Sequence, residues 1–290
     1  MLSEMEHLDK YRGEIRAAPG RASYIDTGGP GRPVLFIHGL GTSAYLWRHV
    51  IGELAGRRRC VAVDLPLHGG TPAASDQDFS LPGLAAFVAG CCDALDLADI
   101  DVVANDTGGA VAQVFAAGNP ARLHSLALTN CETHDNLPPR ALKPAVLLAR
   151  LGLLAPVMPG RMRDTEKARQ RVYGSGYQDV GKLPADIARY WLDRAFGTPE
   201  AARQFQRLLV SLRASDLLAV EPALRRLDVP TLIVWGTSDV FFDRKWAYWL
   251  RDTIPGAADV IELAGARLFF PDERAGELAA ALIRHWERHP

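Results

Sequence analysis

A chain of 290 residues with 48% hydrophobic and 23% charged side chains can build one large α/β core carrying an insertion, and is too apolar to be disordered. Its 33 Lys+Arg against 34 Asp+Glu give a formal charge of -1, so no global field draws it to nucleic acid or acidic membranes. No run approaches the roughly 18 uninterrupted apolar residues of a membrane span. The most apolar stretch, Pro144 to Pro156, is short and carries Arg150, and the basic run Arg57-Arg58-Arg59 reads as a solvated edge. The start, MLSEMEHLDKYRGEIR, is charged and lacks the apolar core of a signal peptide. Cys60, Cys91, Cys92 and Cys131 form no C-x-x-C pair and no zinc pattern, so buried thiols and no metal are expected. The expectation is a cytoplasmic protein without a cofactor, with a small-molecule substrate, no nucleic-acid partner and no membrane partner, and with homodimer formation left open.

In chain order, two short strands are expected around Glu14–Arg16 and Ala22–Ile25, followed by a turn cluster from Asp26 to Pro33. Val34–His38 is an almost wholly apolar run, as a strand covered on both faces should be. A helical pattern from the Gly39-Leu40-Gly41 turn to about Leu54 takes Ser43 as N-cap. Strand Cys60–Asp64 is followed by a helix from Leu81 to about Leu95, capped by Ser80 with Pro82 in its first turn. Strand Ile100–Ala104, helix Gly108–Ala117 and strand Leu123–Leu128 continue the alternation. Between about Cys131 and Glu221 it breaks into helical and proline-rich sequence. It resumes with strand Thr231–Trp235, helix Arg244–Ile254, strand Asp259–Leu263 and a closing helix Glu273–Arg288. Alternation at this spacing implies right-handed crossovers and a mostly parallel sheet flanked by helices. The core is expected over 1–134 and 217–290, with a helical cap inserted at 135–216.

Ligands of open parallel sheets bind at the carboxyl ends of the strands, so the residues after each strand carry the chemistry. They are His38-Gly39-Leu40-Gly41, then Asp64 to Gly70 with His68, then Asn105-Asp106-Thr107-Gly108-Gly109. Further on come Asn130 to Asp135 with Glu132 and His134, Gly236-Thr237-Ser238-Asp239, and Ala264 to Phe270. The combination resembles the α/β-hydrolase superfamily over roughly residues 20 to 288 apart from the cap. The motifs are the His38-Gly39 loop, the Asp64–Gly69 turn, the elbow before a Gly-Gly helix start, Trp235–Asp239, and Pro271–Arg274. The elbow places a nucleophile on a strained strand-to-helix turn, normally within G-x-S-x-G. Here the matching position holds Asp106, which resembles the epoxide hydrolase and haloalkane dehalogenase branch, where a carboxylate attacks carbon and forms an ester. The plainer reading is that Asp106 caps the helix that follows.

The resemblance implies Asp239 as the triad acid, with Asn130 and Glu132 in the loop of the alternative acid site. It implies Leu40 and Thr107 as the backbone N–H donors of the oxyanion hole. Where the branch binds halide with Asn and Trp, this chain has Leu40 and Thr107, which argues against dehalogenation. The C-terminal pattern, close to G-A-G-H-F-L-P-E-E-R in the family, reads Gly265-Ala266-Arg267-Leu268-Phe269-Phe270-Pro271-Asp272-Glu273-Arg274, so Leu268 stands at the histidine position. Without that base an alkyl ester on Asp106 would stall. Three repairs stay open. His134 is a replacement base; Asp106 is a general acid or base whose pKa a dry pocket raises; or the protein binds a ligand in a degraded site. His38, Tyr177, Trp191 and Leu268 are the expected pocket residues, with Tyr173, Tyr177 and Tyr190 as proton donors to an epoxide oxygen. The reading is an enzyme acting on a small or medium apolar organic substrate, by epoxide or ester hydrolysis, with a lyase, isomerase or cyclase as the alternative.

Overall fold

The computed structural model describes residues 4–17 and 20–290, so residues 1–3 and 18–19 of the expected core segment lie outside the described residues. Eight strands form one sheet in the order β1-β2-β4-β3-β5-β6-β7-β8. They are β1 (Arg12–Ala17), β2 (Gly20–Asp26), β3 (Val34–Ile37), β4 (Cys60–Val63), β5 (Ile100–Asn105), β6 (Leu123–Thr129), β7 (Thr231–Gly236) and β8 (Ala257–Leu263). β1 pairs with β2, and β2 with β4, antiparallel; every later pairing is parallel. β3, β4, β5 and β7 are buried at every position, which is why their sequences are apolar rather than alternating, and the buried polar side chains of β5, Asp101 and Asn105, are bonded to Ser125 and Thr129 of β6.

The helices preceding the insertion are α1 (Glu4–Asp9), α2 (Arg48–Leu54), α3 (Leu81–Ala94) and α4 (Thr107–Gly118). The insertion holds α5 (Lys143–Arg150), α6 (Leu154–Arg161), α7 (Thr165–Tyr173), α8 (Ala185–Phe196) and α9 (Pro199–Ser211). α10 (Ala214–Leu224) returns to pack on α4, and α11 (Lys245–Thr253), α12 (Phe270–Glu273) and α13 (Ala275–Arg288) complete the chain. Ser80 caps α3 through Gly83 N–H, as expected. The helix expected from Ser43 to Leu54 divides into a 3-10 turn (Ala44–Trp47), capped by Ser43, and α2. The closing helix divides at Arg274, whose extended φ of -130° breaks the helical run. Among the described residues, no single helix is long and apolar enough to cross a membrane.

Register brings the chemistry together. Ile37 of β3 lies opposite Ala104 of β5, Asn105 opposite Thr129 of β6, and Thr129 opposite Val234 of β7. The loops after β3, β5, β6 and β7 therefore sit side by side at one edge of the sheet. α4 can leave β5 there only because Gly108 has no side chain: a Cβ would lie 2.4 Å from the carbonyl oxygens of Ile37 and His38. That contact is with backbone and cannot yield by a rotamer change. Gly108→Ala should therefore cost about 1–3 kcal/mol of stability, measured by urea unfolding; an unchanged midpoint would contradict this packing.

Candidate active site

Asp106 is the single residue between β5 and α4. Its backbone sits at φ 56° and ψ -138°, a strained position for a side chain with a Cβ, costing on the order of 1–3 kcal/mol. The turn is tied to β6 by Asp106 N–H donating to the Asn130 carbonyl at 2.8 Å. Asp106 makes no side-chain cap on α4, so the plainer reading fails on geometry. Its Oδ2 instead accepts the Leu40 N–H at 2.9 Å, across from the loop after β3. Gly39 allows that approach, since a Cβ there would fall 2.3 Å from Asp106 Oδ2.

Two buried histidines fix the donor loop. His38 bonds the Gly39 carbonyl through Nδ1 at 2.8 Å and accepts the Leu65 N–H at Nε2. His68 bonds the Pro66 carbonyl through Nδ1 and accepts the Gly41 N–H at Nε2, 3.0 Å away. Accepting at Nε2 requires a neutral ring, and burial lowers both pKa values, that of His68 to about 3. His38, expected in the pocket, thus has both ring nitrogens engaged by the scaffold.

Three carboxyl groups converge on the elbow. Burial, then the charge of Glu132 and that of Asp239, push Asp106 well above the usual carboxylate range, while the Leu40 and Thr107 N–H groups pull it back. Glu132 is almost fully buried. Its Oε1 accepts the Thr107 hydroxyl at 3.0 Å, and its Oε2 is buried without a partner among the described residues. Burial raises Glu132 to about 7, opposed by its own backbone N–H and the Thr107 hydroxyl. Asp239 is raised to about 6 by burial, although it accepts Phe241 N–H at 2.8 Å and Asn130 Nδ2 at 2.7 Å. Asn130 also clamps Gly236 through both ends of its amide, which joins the loop after β6 to the Asp239 loop. Groups this close titrate as a unit, so the cluster retains protons at neutral pH and apparent pKa values belong to the set.

The structure does not bring His134 to this cluster, which corrects the expectation of a replacement base. Its backbone is in the left-handed region at φ 53°, its Nδ1 pairs with Glu221 of α10 at 2.9 Å, and its ring stacks 4.9 Å from Trp249 of α11. It stitches the loop to two outer helices. Leu268 is buried against the elbow, its carbonyl accepting Asn105 Nδ2 at 3.1 Å.

The pocket tyrosines and tryptophan also differ from expectation, because their polar ends anchor the cap. Tyr177 donates to Asp272 at 2.8 Å, and Asp272 is held by buried Arg48 of α2. Tyr173 donates to the Gly41 carbonyl and Trp191 Nε1 to Ser43 Oγ. Only their rings remain to form apolar walls, with Tyr177 5.0 Å and Tyr173 6.2 Å from Phe269. Glu132 is the residue that sequence reasoning underrated. Its signal was a second acid in the loop after β6, and the fold gives Asn130 the scaffold role and Glu132 the place beside Asp106.

Residues 32–273 match the family described as alpha/beta hydrolase fold, and the chain belongs to it. A haloalkane dehalogenase of Agrobacterium fabrum is 28% identical over 271 residues, 89% of this chain and 86% of that protein. A 2-hydroxy-6-oxo-2,4-heptadienoate hydrolase of Pseudomonas putida is 33% identical over 127 residues, 43% of this chain and 46% of that protein. Among solved structures, an epoxide hydrolase from Vigna radiata superimposes with a TM-score of 0.78 over 96% of this chain and 97% of that one, at 17% identity. Relatives of this kind are named hydrolases, and the chain is a hydrolase-like enzyme of that family.

Protonation of the cluster has a measurable consequence. Glu132 titrates at about 7 folded against 4.5 as its ordinary value, so the folded state keeps a proton that the unfolded chain has lost. Stability therefore falls as pH rises from 4.5 to about 7 and stays lower above it. His68 acts in the opposite window, removing stability as pH falls from 6.5 towards about 3. Glu132→Gln should melt several degrees above the native protein at pH 8, with the gap smallest at pH 5. A gap in thermal melts that does not grow with pH would contradict a buried, proton-holding Glu132.

Proposed function

We propose that this enzyme is a hydrolase in which Asp106 attacks an sp3 carbon of a small or medium apolar electrophile, with an epoxide as the best-fitting class. Glu132 manages the proton that the absent histidine would otherwise handle. The observation that carries this reading is the Leu40 N–H on Asp106 Oδ2. An N–H already holding one oxygen of the carboxylate leaves the other to attack, and is in place to stabilise the oxyanion when water later adds to the resulting ester. Ester hydrolysis at a carbonyl would need the same N–H for the substrate oxygen, so it fits less well. Leu40 has no side-chain donor and the Thr107 hydroxyl is taken up by Glu132 Oε1, which weighs against halide binding and dehalogenation.

The steps balance on the carboxyl cluster. Ionised Asp106 forms a C–O bond to one epoxide carbon, the ring C–O bond breaks, and the alkoxide takes the proton from Glu132 Oε2. Water then loses a proton to Glu132 while its oxygen adds to the Asp106 carbonyl carbon. As the ester C–O bond breaks, the departing alkoxide takes the remaining water-derived proton from the tetrahedral centre, so the diol leaves with Asp106 again a carboxylate and Glu132 again protonated. Cap tyrosines are not needed as proton donors, in keeping with the engagement of Tyr173 and Tyr177 elsewhere. A second reading is favoured by the upward push on Asp106. A protonated Asp106 would serve as a general acid with Glu132 as base, in a lyase, isomerase or cyclase.

Styrene oxide and related aryl epoxides test the choice. Asp106→Asn should lower turnover by at least about 10³-fold while the fold persists. Glu132→Gln can still hydrogen-bond the alkoxide through its amide but cannot accept a proton. It should therefore slow ester cleavage by about 10²–10⁴-fold and accumulate a mass increase of one epoxide on the intact chain. Turnover with no adduct in rapidly quenched Glu132→Gln would favour the acid–base reading, and full activity of Asp106→Asn would overturn both.

A further inference from the structure

We propose that the α5–α6 face of the cap is a docking surface for anionic lipid bilayers. The two helices meet at 114°, counting the turn that leads into α5. Val146, Ala149, Leu154 and Ala155 turn inward, yet Leu147, Leu148, Leu151, Leu153 and Val157 point outward. Leu147, Leu151 and Leu153 are 58%, 61% and 52% exposed, a density of uncovered leucine found nowhere else among the described residues. Scattered exposed apolar residues need no explanation, whereas a contiguous set calls for something to cover it.

Charge identifies the occupant. Between Asp135 and Asp164 there is no acidic residue, and the basic ones are Arg140, Lys143, Arg150, Arg161 and Arg163. All five are exposed, and among the described residues none makes an ion pair. Elsewhere many exposed arginines do, for example Arg203 with Glu200 and Arg274 with Glu277. Cations without ion pairs in the same stretch as exposed leucines match a bilayer interface, where apolar side chains enter the acyl boundary and long basic ones reach the headgroups. A second copy fits poorly. A two-fold contact sets a patch against itself and would oppose these basic residues.

α5 and α6 each have 8 residues, about 12 Å at 1.5 Å per residue, well short of the roughly 30 Å hydrocarbon layer, so the face lies on the membrane rather than crossing it. The expectation of no membrane partner rested on the net charge of -1, which averages over this local excess.

The test is flotation of the full chain with vesicles of phosphatidylcholine alone, or mixed with phosphatidylglycerol, at low and high salt. Binding is expected to the mixed vesicles and to weaken with salt. Arg150→Glu with Arg161→Glu should weaken it at least about tenfold, each basic residue near an anionic surface contributing roughly fivefold. Leu147→Asp with Leu151→Asp should abolish it while circular dichroism stays native, since both side chains are more than half exposed. No preference for the anionic vesicles, or binding indifferent to the leucine changes, would overturn the proposal. So would a dimer in light scattering that the leucine changes dissociate, with no vesicle binding, since it would give the face to a second copy.

Discussion

The arrangement at the sheet edge depends on one costly placement: a carboxylate buried at a strained elbow, with two more carboxyl groups beside it. Water would solvate such a group better than this interior does, so the surrounding backbone must supply the missing donors. The Leu40 and Thr107 N–H groups do so. They can only because the loop after β3 is held rigid, with His38 and His68 neutral and bonded to backbone at both ring nitrogens. Protonating either ring would remove an acceptor from a backbone N–H, so elbow geometry and imidazole neutrality are coupled.

The cap is tied down by polar contacts. It meets the core through side-chain hydrogen bonds from Tyr173, Tyr177 and Trp191, and through Glu273, whose carboxylate accepts the N–H groups of Gln178 and Asp179. Arg267 returns the contact, donating to the Tyr177 carbonyl at 3.0 Å. Those bonds bring the Tyr173, Trp191 and Phe269 rings together, while burial raises the Glu132 and Asp239 carboxyls towards neutrality. A carboxyl near pH 7 can both give and take a proton in one cycle, the property that makes histidine the usual choice.

How much of this was legible in the sequence follows from what each signal reports. Runs such as Val34–Ile37 and Cys60–Val63 announce buried strands because burial on both faces demands apolar residues throughout. The elbow was legible from the small residues around Asp106, which close approach requires. His134 misled because Glu132 and Asp135 flank it, while its partners Glu221 and Trp249 come from helices distant in sequence. Glu132 was hard to weigh because its place depends on Asn130 being taken up by Gly236 and Asp239. The tyrosine hydroxyls were equally ambiguous: nothing local tells Tyr177 that Asp272 will meet it. In the cap, the sequence shows only that Pro144 to Pro156 is apolar, and packing is needed to show that Leu147 and Leu151 face outward.

The central claim, that Asp106 itself bonds to substrate carbon, is tested most directly by isotope transfer. A single turnover with enzyme in excess over an epoxide would be run in water enriched in oxygen-18. The account predicts a diol carrying oxygen-16 donated by Asp106, and a peptide containing Asp106 that has gained oxygen-18. A diol that carries oxygen-18 from the first turnover, with Asp106 unlabelled, would mean that water attacks the substrate directly and would contradict it.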